Sequence, residues 1–206
     1  HAVRNIDAKL GETIAVIGVG LVGQLACQLL RLGGARTVAL DYDSTRLQTA
    51  QSLGVELAIE LHDPDVTERI MSHTSGRGCD GILIAAATSS NHPFETAAAI
   101  ARDRAKICLV GLSGTEFPYA PFMQKELSIL VSRSYGPGRY DQDYEGRDVK
   151  FPEGFVRWTE TDNLIESLRL MSPAATQRLD VASLTTHFFE IDEAENAYRL
   201  VIERSE

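Results

Sequence analysis

One stretch limits what this chain can fold into more than any other. The β-branched, apolar run Thr13-Ile14-Ala15-Val16-Ile17 stops at Gly18, and Gly20 and Gly23 follow at the spacing G-x-G-x-x-G. An apolar helical pattern (Leu21, Leu25, Ala26, Leu29, Leu30) opens inside the glycine run. The pattern predicts a buried parallel strand, a tight turn, and a helix whose N-terminus points back at the strand end. Gly18 would make the turn, Gly20 would let a pyrophosphate approach the backbone, and Gly23 would let helix and strand pack closely. The free N–H groups and positive dipole end of such a helix favour an anion.

Glycines also punctuate ordinary turns, so the context decides. A second apolar strand, Thr37–Leu40, leads to Asp41, 18 residues past Gly23. That is close to the offset of roughly 20 residues at which a carboxylate holds the adenosine ribose hydroxyls of a dinucleotide. The alternative is a plain βαβ unit, with glycines for packing and Asp41 as the N-cap of the next helix.

The rest of the first two thirds repeats the alternation. A helix over 44–53 is closed by Gly54, strand 56–59 follows, and Asp63-Pro64-Asp65 starts a helix running through Met71. Strand 79–87, helix 93–101, strand 105–110 and strand 127–131 come next. Strands alternating with helices of this length predict an α/β fold, a doubly wound, parallel, six-stranded Rossmann sheet over residues 1–134. Beyond Ser134 the pattern changes to a turn-rich segment carrying Tyr135, Tyr140, Tyr144, Phe155 and Trp158. A helix over 163–170, a strand around 186–189 and a helix over 192–203 follow. Residues 135–206 thus read as an aromatic loop and an α/β extension packed on the first domain.

Composition excludes several classes. The 206 residues include 20 basic and 29 acidic side chains, net −9, with no basic run, which argues against nucleic acid. No apolar run nears the roughly 20 residues that span a bilayer, and no signal peptide is visible. Cys27, Cys79 and Cys108 form no C-x-x-C and read as reduced core thiols of a cytoplasmic protein. His1, His62, His73, His92 and His187 show no metal-ligand spacing, so each reads as a surface or packing residue and no metal site is assigned. No tyrosine has a lysine four residues on, which removes a self-contained short-chain dehydrogenase. For Tyr140 and Tyr144 the sequence offers no lysine or metal to lower a phenol pKa of about 10. The chain starts at His1 in what reads as a helix already under way, as expected of a fragment.

The segments HAVRNIDAKLGETIAVIGVGLVG, ALDYDSTRLQTAQSLGV, TSGRGCDGILIAA, AKICLVGLSG and TTHFFEIDEAENAYRLV resemble, in that order, the cofactor domain of the medium-chain dehydrogenase/reductase family, the zinc-type alcohol dehydrogenases. The resemblance covers most of 1–134 and 183–202. It implies that Gly18, Gly20, Leu21, Val22 and Gly23 bind the pyrophosphate, and that Asp41 binds the ribose hydroxyls with Tyr42 and Arg46 beside it. Ala86, Ala87 and Thr88 would line the adenosine side. Val110, Gly111 and Leu112 would offer backbone groups to the nicotinamide carboxamide, with Ser134 and Tyr135 near the ring.

The cofactor implied is NAD rather than NADP, because Asp41 repels a 2′-phosphate. Zinc would enter only through the family's N-terminal catalytic domain, which this chain lacks. The loop 135–160 is similar to that of bacterial two-part dehydrogenases joined to a glucose-fructose oxidoreductase-type partner. In it, Arg139, Tyr140, Tyr144, Arg157, Trp158 and Glu160 would either contact a polyhydroxylated substrate or tie the loop to the sheet edge. The function implied is the NAD-binding half of an alcohol, polyol or sugar oxidoreductase, a small-molecule enzyme forming a homo-oligomer. The other class left open is a non-catalytic NAD(H)-sensing module.

Overall fold

The computed structural model describes residues 1–203; the last three residues of the 135–206 segment lie outside them. β1 (Thr13–Ile17), β2 (Arg36–Asp41), β3 (Leu57–Glu60), β4 (Cys79–Ile84), β5 (Ala101–Leu109) and β6 (Ser128–Val131) form one sheet in the order β3-β2-β1-β4-β5-β6. Every neighbouring pair is parallel.

Side-chain alternation along the central strand explains the two faces. Ile14 and Val16 point to one side, where Ala26, Cys27 and Leu30 of α2 (Leu21–Leu32) and Leu47 and Ala50 of α3 (Ser44–Ser52) cover them. Ile6 of the short α1 (Ala2–Ile6) joins that layer. Ala15 and Ile17 point to the other side, against Val66 and Ile70 of α4 (Val66–His73) and Phe94, Ala97 and Ala98 of α5 (His92–Ile100). Phe122 of α6 (Tyr119–Gln124), a helix not expected from the sequence, completes this second layer. A strand buried on both faces needs a continuous apolar run, and all five β1 residues are buried.

Three differences from the sequence expectation bear on the site. β4 ends at Ile84 rather than Ala87, so Ala85–Ala87 leave the ladder and turn across the sheet end. β5 starts at Ala101, where the sequence pattern predicts the end of a helix. Its register against β4 shifts after Cys79, with Arg104 at a φ of 62° in the extra length. α4 starts at Val66, because Asp63–Asp65 form a turn in which the Asp63 carboxylate accepts the Asp65 N–H at 2.9 Å.

After β6 the chain forms α7 (Gln142–Arg147), α8 (Glu160–Met171), two single 3₁₀ turns and α9 (Ala194–Glu203). The expected strand over 186–189 is absent, so among the described residues the extension is helical, not α/β. A run rich in β-branched and aromatic residues becomes a strand only beside a partner ladder, and Phe188 instead stands 89% exposed. Two contacts join the extension to the sheet layers. Gln28 of α2 accepts the Asp180 N–H at 2.7 Å and donates to its carbonyl, and Arg4 of α1 lies 3.4 Å over the Trp158 ring and donates to Asn163.

Candidate dinucleotide cleft

The strand order reverses at β1, whose neighbours are β2 and β4, and a crevice forms outside the carboxyl ends of strands at such a point. A cleft of about 360 Å³ opens there, lined by Gly18, Gly20, Asp41, Tyr42, Arg46, Ala86, Ala87, Thr88 and His92 among others.

The turn is built as an extension of the ladder. Gly18 N–H donates to Leu40 O at 2.8 Å, one rung past β1. The next N–H, from Val19, donates to the Asp41 carboxylate at 2.7 Å. Asp41 also accepts the Asp43 N–H at 3.0 Å and lies 3.8 Å from the Arg46 guanidinium. It is 6% exposed, so its position is fixed before any ligand arrives. Asp43, not Asp41, caps α3, accepting the N–H groups of Thr45 and Arg46. The N-cap alternative for Asp41 therefore falls.

The three glycines serve three purposes. Gly18 has a φ of +86°, and a Cβ there would lie 2.6 Å from the Ala86 backbone nitrogen. At Gly23 a Cβ would sit 2.0 Å from Gly18 O, so α2 packs on the turn only without one. Gly20 needs neither account: its φ is −66°, and a Cβ there would meet nothing within 4 Å. It stands at the start of α2, where no side chain caps the free N–H groups. Leu21, expected both in the apolar helix face and at the pyrophosphate, and Val22, expected at the pyrophosphate, are 64% and 53% exposed beside this turn. The buried face of α2 uses Gly23, Ala26, Cys27 and Leu30 instead.

Two participants escaped the sequence reading. Gln24, buried in α2, donates to Val19 O and to Arg46 O, clamping the glycine turn to α3. A glutamine among the apolar positions of the helix, repeated at Gln28, was the signal. His92, read as a surface or packing residue, lines the cleft, with its Nδ1 3.2 Å from the Tyr42 hydroxyl. The sequence gives no hint of that pairing, which spans 50 positions.

The remaining expected residues lie away from this cleft. The N–H groups of Val110 and Gly111 both donate to Ile84 O, and the Leu112 carbonyl accepts the Thr88 N–H. Ser134 and Tyr135 follow β6 on the same carboxyl edge of the sheet, and Tyr135 has a φ of 61°. In the loop beyond, Tyr144 is buried, stacked on Phe151 and bonded to Thr161. Trp158 is held by Arg4 and Arg157, and the Glu160 N–H donates to Pro137 O. These residues tie the loop down, whereas Tyr140 stays exposed.

The family model described as "Zinc-binding dehydrogenase" matches residues 22–146. The chain belongs to this family. An alcohol dehydrogenase of Cupriavidus necator is 27% identical over 197 residues, covering 95% of this chain and 47% of the relative. A sorbitol dehydrogenase of Bacillus subtilis is 33% identical over 149 residues, 70% of this chain and 40% of the relative. The solved alcohol dehydrogenase of Thermus sp. ATN1 shares the fold with a TM-score of 0.73 at 22% identity, over 98% of this chain and 51% of that one. The chain thus spans about half the length, or less, of the family relatives it matches.

The family's description names zinc, so the donors present bear on it. Cys27, Cys79 and Cys108 are free thiols in the core, pushed by burial up to about 12, about 12 and about 11. No three His, Cys, Asp or Glu side chains converge as metal ligands among the described residues. Those residues do not fit a zinc ion. No helix among them is long and apolar enough to cross a membrane.

Proposed function

We propose that this chain is the NAD-binding half of an alcohol, polyol or sugar dehydrogenase. Gly20 carries the reading. A glycine that neither backbone conformation nor packing requires, at an uncapped helix start beside a buried carboxylate, leaves room for a ligand rather than for the protein. The pyrophosphate would lie over Gly18, Gly20 and the N–H groups of Leu21, Val22 and Gly23. Asp41 would accept the ribose hydroxyls on lone pairs not used by Val19 and Asp43, flanked by Tyr42 and Arg46. Ala86, Ala87 and Thr88 would face the adenosine. The carboxamide would meet backbone groups of Val110, Gly111 and Leu112 other than the two N–H groups already bonded to Ile84, with Ser134 and Tyr135 beside the ring.

The bound nicotinamide supplies the hydride acceptor; the chain's residues hold and orient it. Zinc, where the parent protein uses it, would be held by residues outside the described ones. The division into a Rossmann domain over 1–134 and an extension over 135–206 belongs to this proposal, as do a cytoplasmic location and self-association into a homo-oligomer. Calorimetric titration of the chain with NAD tests the reading: it requires binding that Gly20→Val abolishes without unfolding the protein. Equal binding by that variant refutes it.

A further inference from the structure

The turn that follows β6 has a charge arrangement that the cofactor does not need. We propose that Arg133, Ser134, Arg139 and Tyr140 form a subsite for the anionic group, carboxylate or phosphate, of an acidic polyol or sugar. The inference rests on the reading that places the nicotinamide near Ser134 and Tyr135.

The first support is position. Ser132 N–H donates to Leu109 O at 2.9 Å, so the chain leaves β6 on the carboxyl edge of the sheet, where the cofactor cleft also opens. The second is rigidity. Gly136 N–H donates to Ser134 O at 2.7 Å, Asn163 donates to Tyr135 O at 2.8 Å, and Glu160 N–H donates to Pro137 O at 2.7 Å. These bonds hold Tyr135 and Tyr140 in left-handed conformations, φ 61° and 69°, that bulky residues rarely adopt.

The third is charge. Arg139 pairs with Glu145 at 2.8 Å, while Arg133 has no carboxylate partner among the described residues and donates to Arg139 O at 2.9 Å. The Arg139 guanidinium lies 4.8 Å from the Tyr140 ring and 5.3 Å from the Tyr135 ring, and its Nε, closed to solvent, has no hydrogen-bond partner. The turn therefore carries two guanidiniums, of which only that of Arg139 is paired with a carboxylate, in a chain of net charge −9. The exposed phenol of Tyr140 feels both the neighbouring donors and these charges. The Ser134 hydroxyl first, then Arg139 and Arg133, hold it below the usual tyrosine range. A field that favours a phenolate favours any oxyanion placed there. The sequence had offered no lysine or metal for this tyrosine; the fold supplies arginines.

Loop anchoring alone does not explain the cluster: Arg133 ties the Arg139 carbonyl, yet its guanidinium has no carboxylate partner among the described residues, and the Tyr140 side chain stays exposed. The test is a titration of the whole chain with inorganic phosphate, gluconate and, as the neutral control, sorbitol, at fixed ionic strength. Tyrosinate absorbance of the wild type minus that of Tyr140→Phe isolates one phenol. Phosphate or gluconate is expected to raise its pKa, since a bound anion opposes the phenolate, and sorbitol is not. The stronger of the two anions identifies the phosphorylated or the carboxylated substrate class. Arg133→Ala should weaken that anion about tenfold, and Arg133→Lys should recover much of the loss. NAD affinity should be unchanged in both. An anion response no larger than that to chloride, or one indifferent to Arg133→Ala, overturns the subsite. Failure of the wild type to bind NAD overturns instead the cofactor reading on which it rests.

Discussion

Gly18, Gly20 and Gly23 look equivalent in sequence, yet a methyl group would meet three different fates at them. Gly18→Ala and Gly23→Ala force backbone atoms apart, so both should lower the melting temperature, by a cost of about 1–3 kcal/mol each. Gly20→Val should leave the melting temperature almost unchanged and remove NAD binding; a destabilised Gly20→Val would restore the packing-only account. Besides the role proposed for it at the ribose, Asp41 receives the buried Val19 N–H. Asp41→Ser should cost about 1–3 kcal/mol for that lost partner. It should also narrow the preference for NAD over NADP roughly tenfold, because removing a carboxylate removes repulsion of the 2′-phosphate while Arg46 stays nearby. Parallel calorimetric titrations decide it: an unchanged ratio detaches Asp41 from the ribose.

At the scale of elements, caps and cross-element clamps set how the site is held. Asp43 begins α3, and the Thr45 N–H, ahead of the Arg46 N–H, keeps its carboxyl below the ordinary value of 3.8. Its folded pKa is thus lower than its unfolded one. The stability it adds is present above that ordinary value and is lost as pH falls through the folded value. Asp162, held low by the Thr159 hydroxyl in the capping box of α8, acts with the same sign. Melting temperatures measured from about pH 5 to about pH 3 should fall less steeply in Asp43→Asn than in the wild type; parallel slopes would remove Asp43 from the acid transition. The clamp between α1 and the extension has its own reporter, because Trp158 is the single tryptophan. Arg4→Ala removes a cation over its ring, a contact of about 0.5–2 kcal/mol, and should shift its fluorescence to the red with NAD binding intact. An unshifted spectrum would mean that the ring is held by Arg157 alone.

For the whole molecule, the parts legible in sequence were those fixed by neighbours in the chain. β1, the glycine turn, β2 and Asp41 lie within 29 consecutive residues, and their periodicity survives folding with small boundary shifts. The rest depends on distant partners. His92 finds Tyr42, Arg139 and Tyr140 are posed by a turn that Asn163 and Glu160 hold, and the run at 186–189 lacks the ladder that would make it a strand. The same distribution shapes the last prediction, that this chain binds NAD but sustains no alcohol oxidation by itself. Its preorganised groups, from Asp41 to the α2 start, line the cleft proposed for the cofactor. The described residues bring no metal-ligand group together, and Tyr140, though its phenol is held low by Ser134, Arg139 and Arg133, stands exposed on the surface. Orientation of substrate against cofactor accounts for up to roughly 7–11 kcal/mol of such a barrier, and an open cleft supplies little of it. The measurement is the absorbance of reduced nicotinamide with sorbitol, gluconate and simple alcohols, with and without added zinc. Flat traces beside clear NAD binding are expected. Steady turnover that disappears in Tyr140→Phe would place a complete active site within these 206 residues and make Tyr140 its acid–base group.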